Sequence, residues 1–121
     1  MRYQKQQRNI MSAIDNAIKH FESLDIQEIE VPEWGDGNEP LKVYAKPITL
    51  SETSRLLKMA QNDDVEMLAY VLIYKALDHE GNKIFSLSDK KSLMEKVDRD
   101  VLIKVATAIM GNLNQEAITK K

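Results

Sequence analysis

The chain is 121 residues long, 43% apolar and 30% charged, with a formal net charge of −2 and no cysteine. That length fits one domain with a modest core, and the balance of charge is too close to neutral to point to nucleic acid. The lack of cysteine excludes disulfides, thiolate metal sites and thiol nucleophiles, and no apolar run reaches the ~20 residues of a bilayer span. The expectation is a soluble protein of a reducing, cytoplasmic compartment.

Charge is unevenly spread. Arg2, Lys5 and Arg8 form a basic N-terminal arm without acids, and between Phe21 and Leu41 stand seven acids and no lysine or arginine. Residues 1–9 are expected to be a flexible arm, 10–112 a single domain and 113–121 a polar tail.

Ile10, Ile14, Ala17, Phe21 and Leu24 step by four, three, four and three, with Ile18 beside them. This is the apolar stripe of an amphipathic helix ending near Asp25, too short for an independent coiled coil and therefore expected to dock on its own domain or on a neighbouring copy. Next, 26–31 and 41–46 alternate enough to pair as an antiparallel hairpin, joined by nine residues rich in Gly, Pro, Asp and Asn. Leu41, Val43 and Ala45 should face the core, with Lys42 and Lys46 opposite Glu28 and Glu30. The only tryptophan, Trp34, falls in the connection. It reads either as a lid over its own hairpin or as a recognition anchor.

Pro47 ends the second strand, and Thr49 with Glu52 matches a capping box for a helix from Leu50 to Gln61. Asn62, Asp63 and Asp64 supply a new N-cap. The segment 65–77 is apolar on two sides, through Val65, Leu68, Ala69, Leu72, Ile73 and Ala76 on one and Met67, Tyr70, Val71, Tyr74 and Leu77 on the other, so it should be a central helix. A turn over 78–83, with Gly81 as its C-cap, leads to Phe85 as an anchor, a short helix capped by Ser86 or Ser88, and a last two-faced helix from Asp98 to Gly111. The fold class is α+β, mainly helical: an N-terminal helix, one hairpin, then a bundle of about four helices.

Chemistry has no evident home in this pattern. His20 and His79 lack partners at metal-ligand spacing, no glycine-rich phosphate loop exists, and the carboxylates cluster on the hairpin, where solvation accounts for them. No catalytic residue, metal or cofactor is expected. Two helices with two apolar faces suggest instead more apolar surface than a small core covers. The residues singled out for partner binding are Trp34, Tyr44, Tyr70, Val71, Tyr74, Ile103 and Met110; for Tyr70 and Tyr74, burial by the domain itself is the competing reading.

From about Ile29 to Asn112 the sequence resembles the tail assembly chaperones of long-tailed bacteriophages and prophages. The likeness rests on an acidic strand entering the Pro32-x-Trp34-Gly35 turn, on 43–50 (VYAKPITL) leading into a helix, on the two-faced helix and the turn 78–83, and on Phe85 before the serine-and-aspartate start at 86–89. The resemblance implies a non-enzymatic chaperone in the bacterial host cytoplasm that binds the tape-measure protein and helps recruit tail-tube subunits, with homo-oligomers a further option and no membrane partner. It also implies, for many members, a frameshifted longer product. The reading from a different class is a small nucleic-acid-associated regulatory protein working through the basic arm.

Overall fold

A computed structural model describes residues 12–111, so the basic arm and the polar tail lie outside the described residues. Within them the chain is α+β and mainly helical. It forms α1 (Ala13–Ser23), β1 (Gln27–Asp36), β2 (Glu39–Ala45), α2 (Leu50–Met59), α3 (Asp64–Lys75), a 3-10 turn (Leu87–Asp89), α4 (Lys90–Glu95) and α5 (Arg99–Ile109).

The starts of the helices are written in their caps. The Thr49 hydroxyl accepts the Glu52 N–H at 3.1 Å while the Glu52 carboxylate accepts the Thr49 N–H at 2.9 Å, the reciprocal pair expected from the sequence. Asp63 accepts from Val65 and Glu66 at the head of α3, and Asp98 accepts from Val101 at the head of α5. Asp89 takes the Ser86 N–H at 2.8 Å and so opens the 3-10 turn. α2 stops at Met59 because Gln61 and Asn62 turn left-handed, with φ of 55° and 65°.

β1 and β2 pair antiparallel, with Ile29 opposite Val43, Glu30 opposite Lys42 and Val31 opposite Leu41. The strands run longer than their sequence suggests: pairing resumes beyond an irregularity between Val31 and Asp36, and the reversal itself takes only Gly37 and Asn38. What reads as a nine-residue loop is therefore mostly strand. Val43 and Ala45 are buried and Leu41 is half-buried, as the alternation required. The other edge of β2 is covered by a segment absent from the sequence reading. Tyr44 and Leu77 exchange backbone hydrogen bonds at 2.8 and 2.9 Å, and Leu77 in turn bridges to Lys83.

Leu77 is thus outside the helix expected to contain it. Ala76 ends α3, and Gly81 (φ +87°) belongs to the following turn, where the Asp78 carboxylate accepts the N–H groups of Glu80 and Asn82. The assignment of Gly81 as a helix cap is corrected accordingly.

The core lies where α3 meets α5, α2 and the inner face of the hairpin. Ile29, Val31, Val43, Leu56, Leu72, Ile73, Leu93, Val105 and Ile109 meet there with other apolar groups, and no polar side chain is buried among the described residues. Each such residue stabilises the fold by about 1.5–3 kcal/mol relative to exposure. Among the described residues no helix is long and apolar enough to cross a membrane.

Candidate functional site

α3 carries apolar residues on two sides, and the domain covers most of both. Met67, Ala69, Val71, Leu72 and Ile73 are buried, and Leu68, Tyr70 and Tyr74 are half-buried. The expected excess of apolar surface along this helix is therefore largely taken up by α2, α4, α5 and the 3-10 turn. It persists at one end. α4 has only six residues and spans about 9 Å, half the length of α3, so it cannot roof the first turns of its neighbour.

The result is an open groove of ≈ 270 Å³ between α3, α4 and α5. Leu93 and Leu102 are buried at its base, Leu68 and Ile103 are half-buried along it, and Val65 and Met94 stand on its rim, 68% and 42% exposed. Arg99 is the one charged residue that lines it. An apolar trough with a flexible methionine on its edge suits an apolar side of another polypeptide, since methionine adapts to varied shapes.

A second feature is aromatic and cationic. Tyr70 and Tyr74, one helical turn apart on α3, stack at 6.3 Å with planes 15° apart. Lys90 stands 5.1 Å from the centre of the first ring and Lys83 4.8 Å from the second. The Glu66 carboxylate bonded to Lys90, aided by Tyr70, raises the Lys90 pKa and holds its charge. Trp34 is half-buried and meets Phe85 edge-on, with centroids 6.1 Å apart and planes at 82°. The indole thus lies over its own domain. The sequence had left that arrangement and a free anchor both open.

The seven residues singled out from the sequence do not form one surface. Tyr70 and Tyr74 are together and Ile103 lines the groove, but Tyr44 lies half-buried on β2, where its backbone bonds to Leu77. Val71 has no exposed surface and is a core residue, with nothing to offer a partner in this conformation. Met110 lies at a different groove, described next. Sequence reasoning missed Val65, Leu68 and Met94. Their stripe was legible, but the shortness of α4 that leaves them open was not.

α1 forms as expected, with Ser12 capping its start by accepting from the Asp15 N–H. It buries none of its residues and makes no extensive packing contact with another described element. Ile14, Ile18, Phe21 and Leu24 are 64%, 48%, 38% and 44% exposed. The expected docking of this helix on the rest of its domain is therefore not found among the described residues. Only its C-terminal end, at Phe21 and Leu24, helps wall a second groove, of ≈ 300 Å³, with Pro47, Ile48, Met110 and Gly111.

His79 is exposed in its turn and lies 3.7 Å from Glu80. Among the described residues no group of three or more His, Asp, Glu or Cys side chains is placed to hold a metal ion. The site is an α+β scaffold offering apolar grooves and an aromatic–cationic face.

No protein-family model matches the chain, and no curated protein matches it. Among solved structures the chain is similar to the tail assembly chaperone of bacteriophage HK97, with 17% identity and a TM-score of 0.47 over 83% of this chain and 99% of that one.

Proposed function

We propose that this protein is a non-enzymatic phage tail assembly chaperone whose groove between α3, α4 and α5 holds an apolar helical segment of the tape-measure protein, and which helps bring tail-tube subunits to it. The observation that carries the reading is the exposed apolar rim of that groove, Val65 above all, left open by a helix too short to cover it. Two further features support it. The order of motifs from Ile29 to Asn112 resembles that of tail assembly chaperones, and the hairpin presents Glu28, Glu30, Glu33 and Asp36 to solvent, a surface that keeps a chaperone and a sticky client dispersed. Tyr70 and Tyr74, capped by two lysines, form a second contact able to meet an acidic or aromatic part of the client.

The test is co-expression with the tape-measure protein of the same phage or prophage. The chaperone should keep it soluble and co-purify with it at 0.1 M and 0.5 M salt alike, because apolar contacts do not weaken as phosphate or ion-pair contacts do. Val65→Glu and Ile103→Glu should each lower recovery of the complex about tenfold, as expected for ~1.4 kcal/mol or more of lost apolar contact. A tape-measure protein that stays insoluble with the wild-type chain, or that binds the folded variants equally well, counts against this function.

A further inference from the structure

The groove between α3, α4 and α5 has an apolar floor, but acids flank its rim. Asp64 stands immediately before Val65 at the start of α3, and Glu95 immediately after Met94 at the end of α4. Both acids are exposed, and neither has an ion-pair partner among the described residues. The other acids nearby are engaged. Glu66 is bonded to Lys90, and Asp100 to Arg99, the one charged residue that lines the groove, at 2.7 Å. Asp63 and Asp98 accept N–H groups at the heads of α3 and α5, whose positive ends share their charge. Lys96, exposed where α4 closes, is the only other base in 63–66 and 95–100. Each bank of the apolar trough thus carries a carboxylate free to pair, Asp64 on the α3 side and Glu95 on the α4 side.

We infer that the groove selects, among apolar helices, one whose stripe is bordered by lysine or arginine. The inference rests on the client reading above and gives the client segment its chemistry: an amphipathic helix of the tape-measure protein with basic flanks. A helix seated on Leu93 and Leu102 brings its own borders against Asp64 and Glu95 and displaces water between them. Basic borders then find partners, while acidic borders meet like charge and are turned away. Charges at a rim act chiefly on the rate of association and on the choice between segments, and the apolar floor holds the complex once formed. Recovery of the complex at 0.5 M salt is therefore unaffected by this selection.

The probes are two synthetic amphipathic helices of about five turns, alike in their leucine stripe, one bordered by lysine and the other by glutamate. By fluorescence anisotropy at low ionic strength, the full chain should bind the lysine-bordered probe with a Kd at least about fivefold lower. Asp64→Lys with Glu95→Lys should abolish or invert that preference. Asp64→Asn with Glu95→Gln, closer in shape, should reduce it to about twofold or less, and decides the matter if the lysine variant loses its far-UV circular dichroism. Val65→Ser with Met94→Ser should weaken both probes about fivefold or more, which places them in the groove rather than on the acidic hairpin. Equal binding of the two probes, a preference for glutamate borders, or no binding of either overturns the inference. So does a lysine preference that survives removal of both acids, or lysine-probe binding that the serines leave unchanged. The parent reading is judged separately, by capture of the tape-measure protein itself. Capture that depends on Val65 but not on Asp64 and Glu95 keeps the chaperone function and removes this selectivity, whereas the expected probe ratios without capture keep the selectivity and remove the client.

Discussion

The Trp34 indole packs edge-to-face on Phe85, 6.1 Å between centroids, and so joins the irregular end of β1 to the segment that leads into the 3-10 turn. Both residues are half-buried against the core. Trp34→Ala should therefore cost about 2 kcal/mol, less than the ~3–5 kcal/mol of a fully buried aromatic. A double-mutant cycle with Phe85→Leu should show coupling of about 0.5–1.5 kcal/mol by urea denaturation. Phe85→Leu alone should also shift the emission of the only tryptophan. Additive losses and an unchanged spectrum would show that the ring contact contributes little.

Gly35, one residue on, is required for a different reason. A Cβ placed there would lie 2.0 Å from the Glu39 carbonyl oxygen and 2.8 Å from the Pro40 Cα, both backbone atoms that cannot move aside without opening the hairpin. Gly35→Ala should destabilise by ~3 kcal/mol or more, through strain of the kind that makes large mutational effects exceptional. Gly37, at the tip with φ +66° and open space around it, should cost only about 1–2 kcal/mol as alanine, for its left-handed backbone alone. Thermal denaturation of the two variants separates the causes, and equal losses would contradict them. At Gln61, already left-handed, glycine should raise stability by up to about 1 kcal/mol.

Lys75 donates to the Glu52 carboxylate at 2.9 Å, tying the last turn of α3 to the first turn of α2. The Lys75 bond first, and the Thr49 N–H second, lower the Glu52 pKa below its usual 4.5. The sign follows from that direction. A carboxylate bound more weakly by protons in the folded chain than in the unfolded one stabilises above its unfolded pKa, and that stability is lost as pH falls through the folded value. Glu52→Gln should therefore be less stable than the wild type at pH 7, and the gap should narrow as pH falls below the usual 4.5 and close once pH lies below the lowered folded value. Because the pair is partly solvated, the gap should be no more than about 1 kcal/mol. A gap that persists at pH 2 would assign it to packing rather than charge.

The sequence is most informative where a local rule and the tertiary environment agree. The Thr49–Glu52 box, the Asp63 and Asp98 caps and the inward-facing Val43 and Ala45 are all short-range consequences of residue type. It is least informative where one element's extent depends on another. Pro32, Gly35 and Gly37 read as loop, but the first two lie within β1, across an irregularity beyond which Asp36 pairs with Glu39 of β2. Leu77 completes a helical stripe on paper, but the free edge of β2 recruits it as a bridge through Tyr44. The candidate groove was hidden for the same reason: the stripe of Val65, Leu68 and Leu72 is visible in the sequence, whereas the early end of α4 that leaves Val65 exposed depends on where Lys96 closes that helix.

Along that single stripe, stability and binding should separate. Leu72 is fully buried, and Leu72→Ala should cost about 2–5 kcal/mol, depending on how far the neighbours close the cavity. Val65 is 68% exposed, and Val65→Ala should change stability by no more than about 0.5 kcal/mol, because water already reaches most of the side chain. Under the proposed function the same Val65→Ala should still weaken capture of an apolar client helix, by about 1 kcal/mol or some fivefold in Kd, since a client seated in the groove would remove that surface from water. Chemical denaturation of the free chain and a titration with a tape-measure fragment read the two effects separately. If Val65→Ala destabilises the free protein as Leu72→Ala does, the rim is part of the core. If it leaves both stability and affinity unchanged, the client does not seat in this groove.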